Sequence, residues 1–497
     1  MLTLIKNGLV YDGTDTPPVR EDILVRGGEI SRVGTFAAKH ADHTIDASNS
    51  IVAPGFIDIN TSSDHLLTLF SDPEQTGFVK NGVTTIIGGN CGLSLAPLLG
   101  HPLHDAGLHG HSVTVNVNWS TVAEFLAVLD RKGLGVNFGT LVGHGALRRL
   151  VAGNEPRDLT EHEKKMLARV LESAYKDGAF GLSSGSDTEA LRVQPKEMAA
   201  LVELTTAARR VFALHLRDFE ADLTKGVREA VAVAHDTHAN MEISHLLPLV
   251  GNASRYTESL ELIEQASTAS FIHFDLHPFD TVERPLSAFL PSWAGRTETK
   301  EIHAILADRD TRERLRAHLK TRELHEIRIG HVFDGALRTL EGTTLASFAE
   351  QRALDPCSAL VELMRVTACA ATVFERSVDT ALQATLMKSQ HAIIASNASS
   401  LPLRKADAPR TNAGLALLSW AAETDALTPS QAIAKLTSIP ATKYGIQRRG
   451  RITEGYAADI VILKDLVPTA VLVNGIPVME EGALTGGRPG RALRAGS

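Results

Sequence analysis

Pro195-Lys196-Glu197-Met198-Ala199-Ala200-Leu201-Val202-Glu203-Leu204-Thr205-Thr206-Ala207-Ala208-Arg209-Arg210 runs straight into Val211-Phe212-Ala213-Leu214, and His215 follows. The first segment has the pattern of an amphipathic helix, and the second is a short apolar run of the kind found in buried strands. Upstream, Gly181 to Ser183 reads as a strand and Thr160 to Asp177 as a helix; downstream, Asn240 to Ser244 and Phe271 to Asp275 are strands again. Strand and helix in alternation imply a parallel sheet with right-handed crossovers. Phe56 to Ile59, Thr84 to Gly88, Asn137 to Val142 and Ile393 to Ala395 complete a set of eight strands, as expected for a (β/α)8 TIM-like barrel.

The expected barrel takes in residues 55–448. Its seventh and eighth strands are too far apart for a single helix, so residues 283–338 are read as an inserted lid subdomain over the barrel mouth. Both chain ends are β-rich. Leu2 to Lys6, Asp22 to Arg26, Glu29 to Val33 and Ile51 to Ala53 at one end match Asp459 to Leu463, Ala470 to Val473 and Ile476 to Met479 at the other. Residues 1–54 and 449–497 are therefore expected to form one small β-sandwich domain. The Gly- and Arg-rich stretch Gly486 to Ser497 is expected to be a mobile tail.

With 497 residues, 43% of them hydrophobic and 22% charged, the chain can bury a large core. A formal net charge of -8 and the lack of a Lys/Arg block argue against a nucleic-acid or membrane partner and for a small-molecule ligand. The N-terminal residues lack the pattern of a secretory signal, and the default compartment is cytoplasmic. Cys91, Cys357 and Cys369 are too scattered for a disulfide framework. The sequence leaves the oligomeric state open.

In such a barrel the chemistry sits just after the strands. The polar residues there are Asn60 and Ser62, Cys91, His144, Ser184, His215, His245, Asp275 with His277, and Asn397. Cys91, His215 and His245 follow strands two, five and six, and one thiolate with two imidazoles makes a three-ligand zinc site with a fourth position open. Taken singly, each also reads as an ordinary packed or hydrogen-bonded residue. Zinc would lower the pKa of a water and polarise a carbonyl, which suits amide hydrolysis. His144 is read as pocket lining. His101, His104, His109 and His111 sit in a Gly-rich segment and read as a solvated loop.

Ala53-Pro54-Gly55-Phe56-Ile57-Asp58, Asn90-Cys91-Gly92, Leu141-Val142-Gly143-His144-Gly145, Leu214-His215-Leu216-Arg217-Asp218, Ile243-Ser244-His245 and Phe289-Leu290-Pro291-Ser292-Trp293-Ala294 resemble the N-acyl-D-amino-acid deacylase (D-aminoacylase) branch of the amidohydrolase superfamily. So do the closing Gly450-Arg451-Ile452, Ala457-Ala458-Asp459 and Val473-Asn474-Gly475. The resemblance covers nearly the whole chain and implies the barrel, the terminal β-sandwich and the lid. It also implies that Cys91, His215 and His245 hold the tight zinc site.

The departures are as specific. Where the family carries His-Thr-His this chain has Asn60-Thr61-Ser62, which removes both imidazoles of the second metal site; one zinc per chain is expected. Asn397 stands at the family's catalytic Asp, and Leu247 at a lysine that helps hold the substrate carboxylate. His277-Pro278-Phe279 replaces Tyr-Pro-Tyr, and Val282-Glu283-Arg284-Pro285 replaces a glycine-rich segment. Asp64 and His65 are candidate substitute bases, and Asn60, Ser62, Leu247, Asp275 and His277 line the expected substrate pocket together with His144. Three functions follow as hypotheses: a one-zinc amide hydrolase with an altered base and specificity, a disarmed relative that binds a small molecule or protein, and a scaffold turned to acyl transfer or amide formation.

Overall fold

The computed structural model describes residues 2–35, 41–98, 115–153, 155, 157–185, 195–266, 271–294, 302, 305–321, 324, 326–401 and 410–496. His101, His104, His109 and His111 lie outside them.

The central strands are β1 (Phe56–Asp58), β2 (Val83–Gly88), β3 (Asn137–Thr140, carried on by Val142–Gly143), β4 (Gly181–Ser184), β5 (Val211–His215), β6 (Asn240–Ser244), β7 (Ile272–Leu276) and β8 (Ala392–Ile394). Each pairs in parallel with the next, except that β7 pairs with β8 across a long insertion. Beyond β8 the chain returns to the segment after β1. Thr61 and Ala398 form a parallel bridge, and the Asn397 N–H donates to the Asn60 carbonyl at 2.9 Å. Side chains on a strand alternate between faces, and two cores divide these residues accordingly. Ile57, Ile59, Ile87, Val211, Ala213 and Ile393 share one core, enclosed by the strands. Phe56, Ile86, Phe212, Met241, Ile243 and Phe274 belong to the other, under the helices.

The helices follow local sequence rules. Glu161–Lys176 starts at Thr160, whose hydroxyl and Glu163 form a capping box, and buries Leu167, Leu171, Ala174 and Tyr175 along one stripe. Pro195–Ala207 is shorter than the pattern to Arg210 suggests. The chain leaves the helix there because Arg209 takes a left-handed conformation (φ 56°).

Nine strands from both chain ends form one sheet, joined where Ile51–Pro54 pairs antiparallel with Ile460–Lys464. Two of its strands, His43–Asp46 and Ala483–Leu484, carry no apolar alternation and are held by backbone pairing. The insertion between β7 and β8 has a core of its own, running from Leu286 to Val373. It therefore extends well beyond Arg338, because its three-stranded sheet is Val282–Pro285, Ala371–Glu375 and Ile327–Val332, with Ala371–Glu375 in the middle.

The expected mobile tail is instead docked. Gly490 bridges Leu134, the Phe138 N–H donates to Arg491, Leu493 donates back to Phe138, and Ala495 donates to Gly178. Composition hid this because much of the attachment is made by main-chain groups, with Ala492 and Ala495 buried and with Arg488 and Arg494 paired to Glu74 and Asp130, which are distant in sequence.

Candidate metal centre

The loop after β2 is built to present one side chain. Gly89, Cys91 and Gly92 all have positive φ, at 76°, 52° and 76°. A Cβ on Gly92 would lie 2.7 Å from the Gly185 nitrogen, so glycine is required there on two counts. Asn90 turns its amide back to the carbonyls of Ile59 and Ile87. Ser183 at the end of β4 fastens the loop: its hydroxyl donates to the Gly89 carbonyl at 2.5 Å and accepts from the Gly92 N–H at 3.0 Å. Thus Asn90 ties the loop back, Gly92 lets it turn, and Cys91 between them is presented as a candidate ligand.

Ser183→Ala would leave those two buried backbone groups unpaired. The expected cost is about 2 kcal/mol of stability, with metal affinity falling by roughly 10-fold as the loop loosens. Urea unfolding and a metal-competition titration measure the two effects, and an unchanged affinity would show that the loop is positioned by other contacts.

His215 is the last residue of β5, on the same side of the strand as Val211 and Ala213, and so faces the enclosed side. His245 follows β6 with φ 59°, and its carbonyl accepts from Leu247 N–H at 2.6 Å in a tight turn. One ligand atom from each of Cys91, His215 and His245 lies within 4.8 Å of the others. Cys91 Sγ is 3.1 Å from His245 Nε2, and the two imidazole centroids are 5.3 Å apart. Burial holds the His245 pKa below its ordinary value, against the opposing charge of Asp275. That favours the neutral ring, the form that ligates. A sulfur and two nitrogens that converge this closely fit a borderline-soft ion such as zinc.

Behind His245 stands Asp275. It accepts from the His245 N–H at 3.2 Å and from the Asn60 amide at 2.9 Å. Asn60 thus gives one of its two amide N–H groups to a buried carboxylate. Glu242, also directed inward, is raised well above the ordinary carboxyl range by burial and by the charge of Asp275. Asp58 is pushed up to about 7 by burial, which outweighs the N–H groups of Ser396 and Asn60 that it accepts.

A cavity of about 430 Å³ is lined by Ser62, His65, Asn397, Glu283, His331 and Arg410, among others, and by none of Cys91, His215 and His245. Asn397 sits at its wall with φ 52°. Cys91, His245 and Asn397 are thus all non-glycine residues held in the left-handed region, a strain that clusters at functional sites. Of the two substitute bases, His65 reaches the cavity. Asp64 does not: it is fully buried and accepts the Gly89 N–H at 2.6 Å.

Two residues read as pocket lining point elsewhere. His144 is fully buried, with Nε2 on Glu197 at 2.9 Å, and Arg148, one turn on in the same helix, donates to the other Glu197 oxygen at 2.7 Å. Leu247 is 6% exposed and belongs to the main core. His277 is buried, and its Nδ1 accepts from the Phe279 N–H; burial, with Arg410 and His245 nearby, holds its pKa well below the ordinary value.

Arg410 escaped the sequence reading. It donates to the carbonyl and hydroxyl of Thr281 and lies over the rings of Phe374 and Phe279, at 4.8 and 5.4 Å from their centroids. Burial lowers its pKa to about 10, so it remains a cation at neutral pH. The Pro409-Arg410 segment follows no strand pattern, which is the only positional signal the sequence offered.

Comparison with known proteins agrees with this geometry. The amidohydrolase family model matches residues 389–478. A D-aminoacylase of Alcaligenes xylosoxydans xylosoxydans is 28% identical over 99% of this chain and 97% of its own length. An N-acyl-D-aspartate deacylase of the same organism is likewise 28% identical, over 99% and 95%. The structure of an N-acyl-D-glutamate deacylase from Bordetella bronchiseptica, complexed with zinc and a phosphonate inhibitor, superposes with a TM-score of 0.80 at 25% identity and covers 99% of both chains. No helix among the described residues is long and apolar enough to cross a membrane. The chain is thus similar, over nearly its whole length, to D-aminoacylases and N-acyl-D-amino-acid deacylases, and its residues 389–478 match the amidohydrolase family.

Proposed function

We propose that this protein hydrolyses an N-acyl amino-acid-type amide with the help of a single zinc ion held by Cys91, His215 and His245. The observation that carries the reading is the convergence of these three ligand atoms within 4.8 Å. The eight parallel strands are read as a (β/α)8 barrel, with the sheet from both chain ends as its β-sandwich domain and the insertion as its lid. Zinc bound there would polarise the scissile carbonyl and acidify a water.

The other roles fall to the chain's own groups. Asn60 and Ser62 stand where the family's second-site imidazoles would be, and Asn60 gives one amide N–H to Asp275, which argues for one metal. Asp275 in turn holds the His245 backbone in place. An asparagine has no proton to exchange near neutral pH, so Asn397 hydrogen-bonds without acting as a base. His65, in the same cavity, is the group assigned to proton transfer. With Leu247 buried, Arg410 is the cation that faces a substrate carboxylate.

The test is hydrolysis of a panel of N-acetyl-D-amino acids, with L-enantiomers as controls. Slow turnover, D over L, that disappears with a chelator and returns with zinc is expected. Asn397 favours a second reading, a non-catalytic binder. Ligand binding with no turnover at any zinc concentration would support that reading and reject hydrolysis.

A further inference from the structure

The lid sheet turns one face to the cavity. Glu283 pairs with Phe374 and Pro285 with Thr372, and directly paired antiparallel residues share a face. The opposite face, with Val373 and Ala371, packs into the lid core. On the third strand the register shifts between Ile329 and Val332. Ile329 and Val332 both remain in the lid core, so the extra residue re-aims His331 to the Thr372 side. Glu283, Thr372 and His331 thus meet on the cavity wall, where all three line it.

They are joined. Thr372 Oγ1 donates to Glu283 Oε1 at 2.7 Å and accepts from the His331 N–H at 2.9 Å. This fixes the Glu283 carboxylate and leaves Oε2 without a partner among the described residues. Arg410 lines the same cavity, yet the two make no ion pair among the described residues; the guanidinium is directed to Thr281. A carboxylate and a guanidinium that feel each other's charge across one cavity without pairing match a ligand that carries both charges.

We propose that the lid selects N-acyl amino acids whose side chain ends in a cation, an ammonium or a guanidinium, which Glu283 receives while Arg410 faces the carboxylate. The proposal rests on the hydrolase reading above for the placement of the substrate in this cavity. His331 and Thr372 are positioning residues that hold Glu283.

The test is calorimetric binding to the zinc-loaded full chain. Nα-acetyl-D-lysine is compared with N-acetyl-D-norleucine, which has a like chain without the amine. The lysine compound is expected to bind at least about 10-fold more tightly, and Glu283→Gln to erase most of that preference. Equal or tighter binding of the norleucine compound overturns the proposal and leaves the hydrolase reading intact; this comparison needs no variant. A preference that survives in a folded Glu283→Gln protein also overturns it. Binding of neither compound, nor of any other N-acyl amino acid, rejects the hydrolase reading and this inference with it.

Discussion

Cys91→Ala is expected to abolish zinc retention: elemental analysis after dialysis should fall from about one zinc per chain to none. In the proposed site the thiolate is one of three protein ligands among the described residues, and the other two would be neutral imidazoles, so its removal would take away the sole ligand charge. Apparent binding energies of structural zinc sites are about 10–16 kcal/mol near neutral pH. Loss of one ligand in three should therefore weaken binding by at least roughly 10³-fold. The fold should persist. Cys91 is only partly buried and lies on a loop whose shape is set by Asn90, Gly92 and Ser183. Near-native circular dichroism with no zinc is the expected combination. A Cys91→Ala protein that keeps its zinc through dialysis would place the metal elsewhere and remove the basis for the proposed chemistry.

The legible part of this site is the part that strand periodicity controls. Most strands of the central set are short runs rich in apolar residues, and the residue that follows each is pinned to the same end of the sheet. Hence His215 is recognisable as facing inward from Val211 and Ala213 alone. Cys91 and His245 are also found by their places after apolar strands, but the left-handed turns that aim them are not encoded by apolar patterns. What stayed hidden depends on contacts between distant segments. His144 has the right position in sequence, but Glu197, distant from it in the chain, supplies a carboxylate, and the imidazole takes that partner. Arg410 gains its place from Thr281, Phe279 and Phe374, none of them near it in sequence. The lid was cut short at Arg338 because the central strand of its sheet, Ala371–Glu375, arrives after two further helices. The docking of the tail rests on main-chain hydrogen bonds and on pairs of Arg488 with Glu74 and Arg494 with Asp130, partners that no composition reveals.

The largest gain in activity is expected from Asn397→Asp, and the structure indicates which companion changes help. Asn397 is buried less tightly than its neighbours and faces the cavity, so a carboxylate there remains in contact with solvent and its desolvation cost is limited. A correctly placed general base contributes roughly 10²- to 10⁴-fold, and kcat for an N-acyl-D-amino acid should rise within that range. Leu247→Lys, which would restore the family's carboxylate anchor, is a poor companion: at 6% exposure in the main core, an ammonium there loses its water without gaining a partner. Asn60→His and Ser62→His would release Asp275 from the Asn60 amide and restore two imidazoles; a second zinc equivalent is expected only with both. If Asn397→Asp changes nothing while zinc stays bound, the proton already travels by another group, and His65→Ala should then abolish turnover. If neither substitution alters activity and ligand still binds, the barrel mouth has been kept for recognition alone, and the retained Cys91, His215 and His245 serve the structure of that binding site.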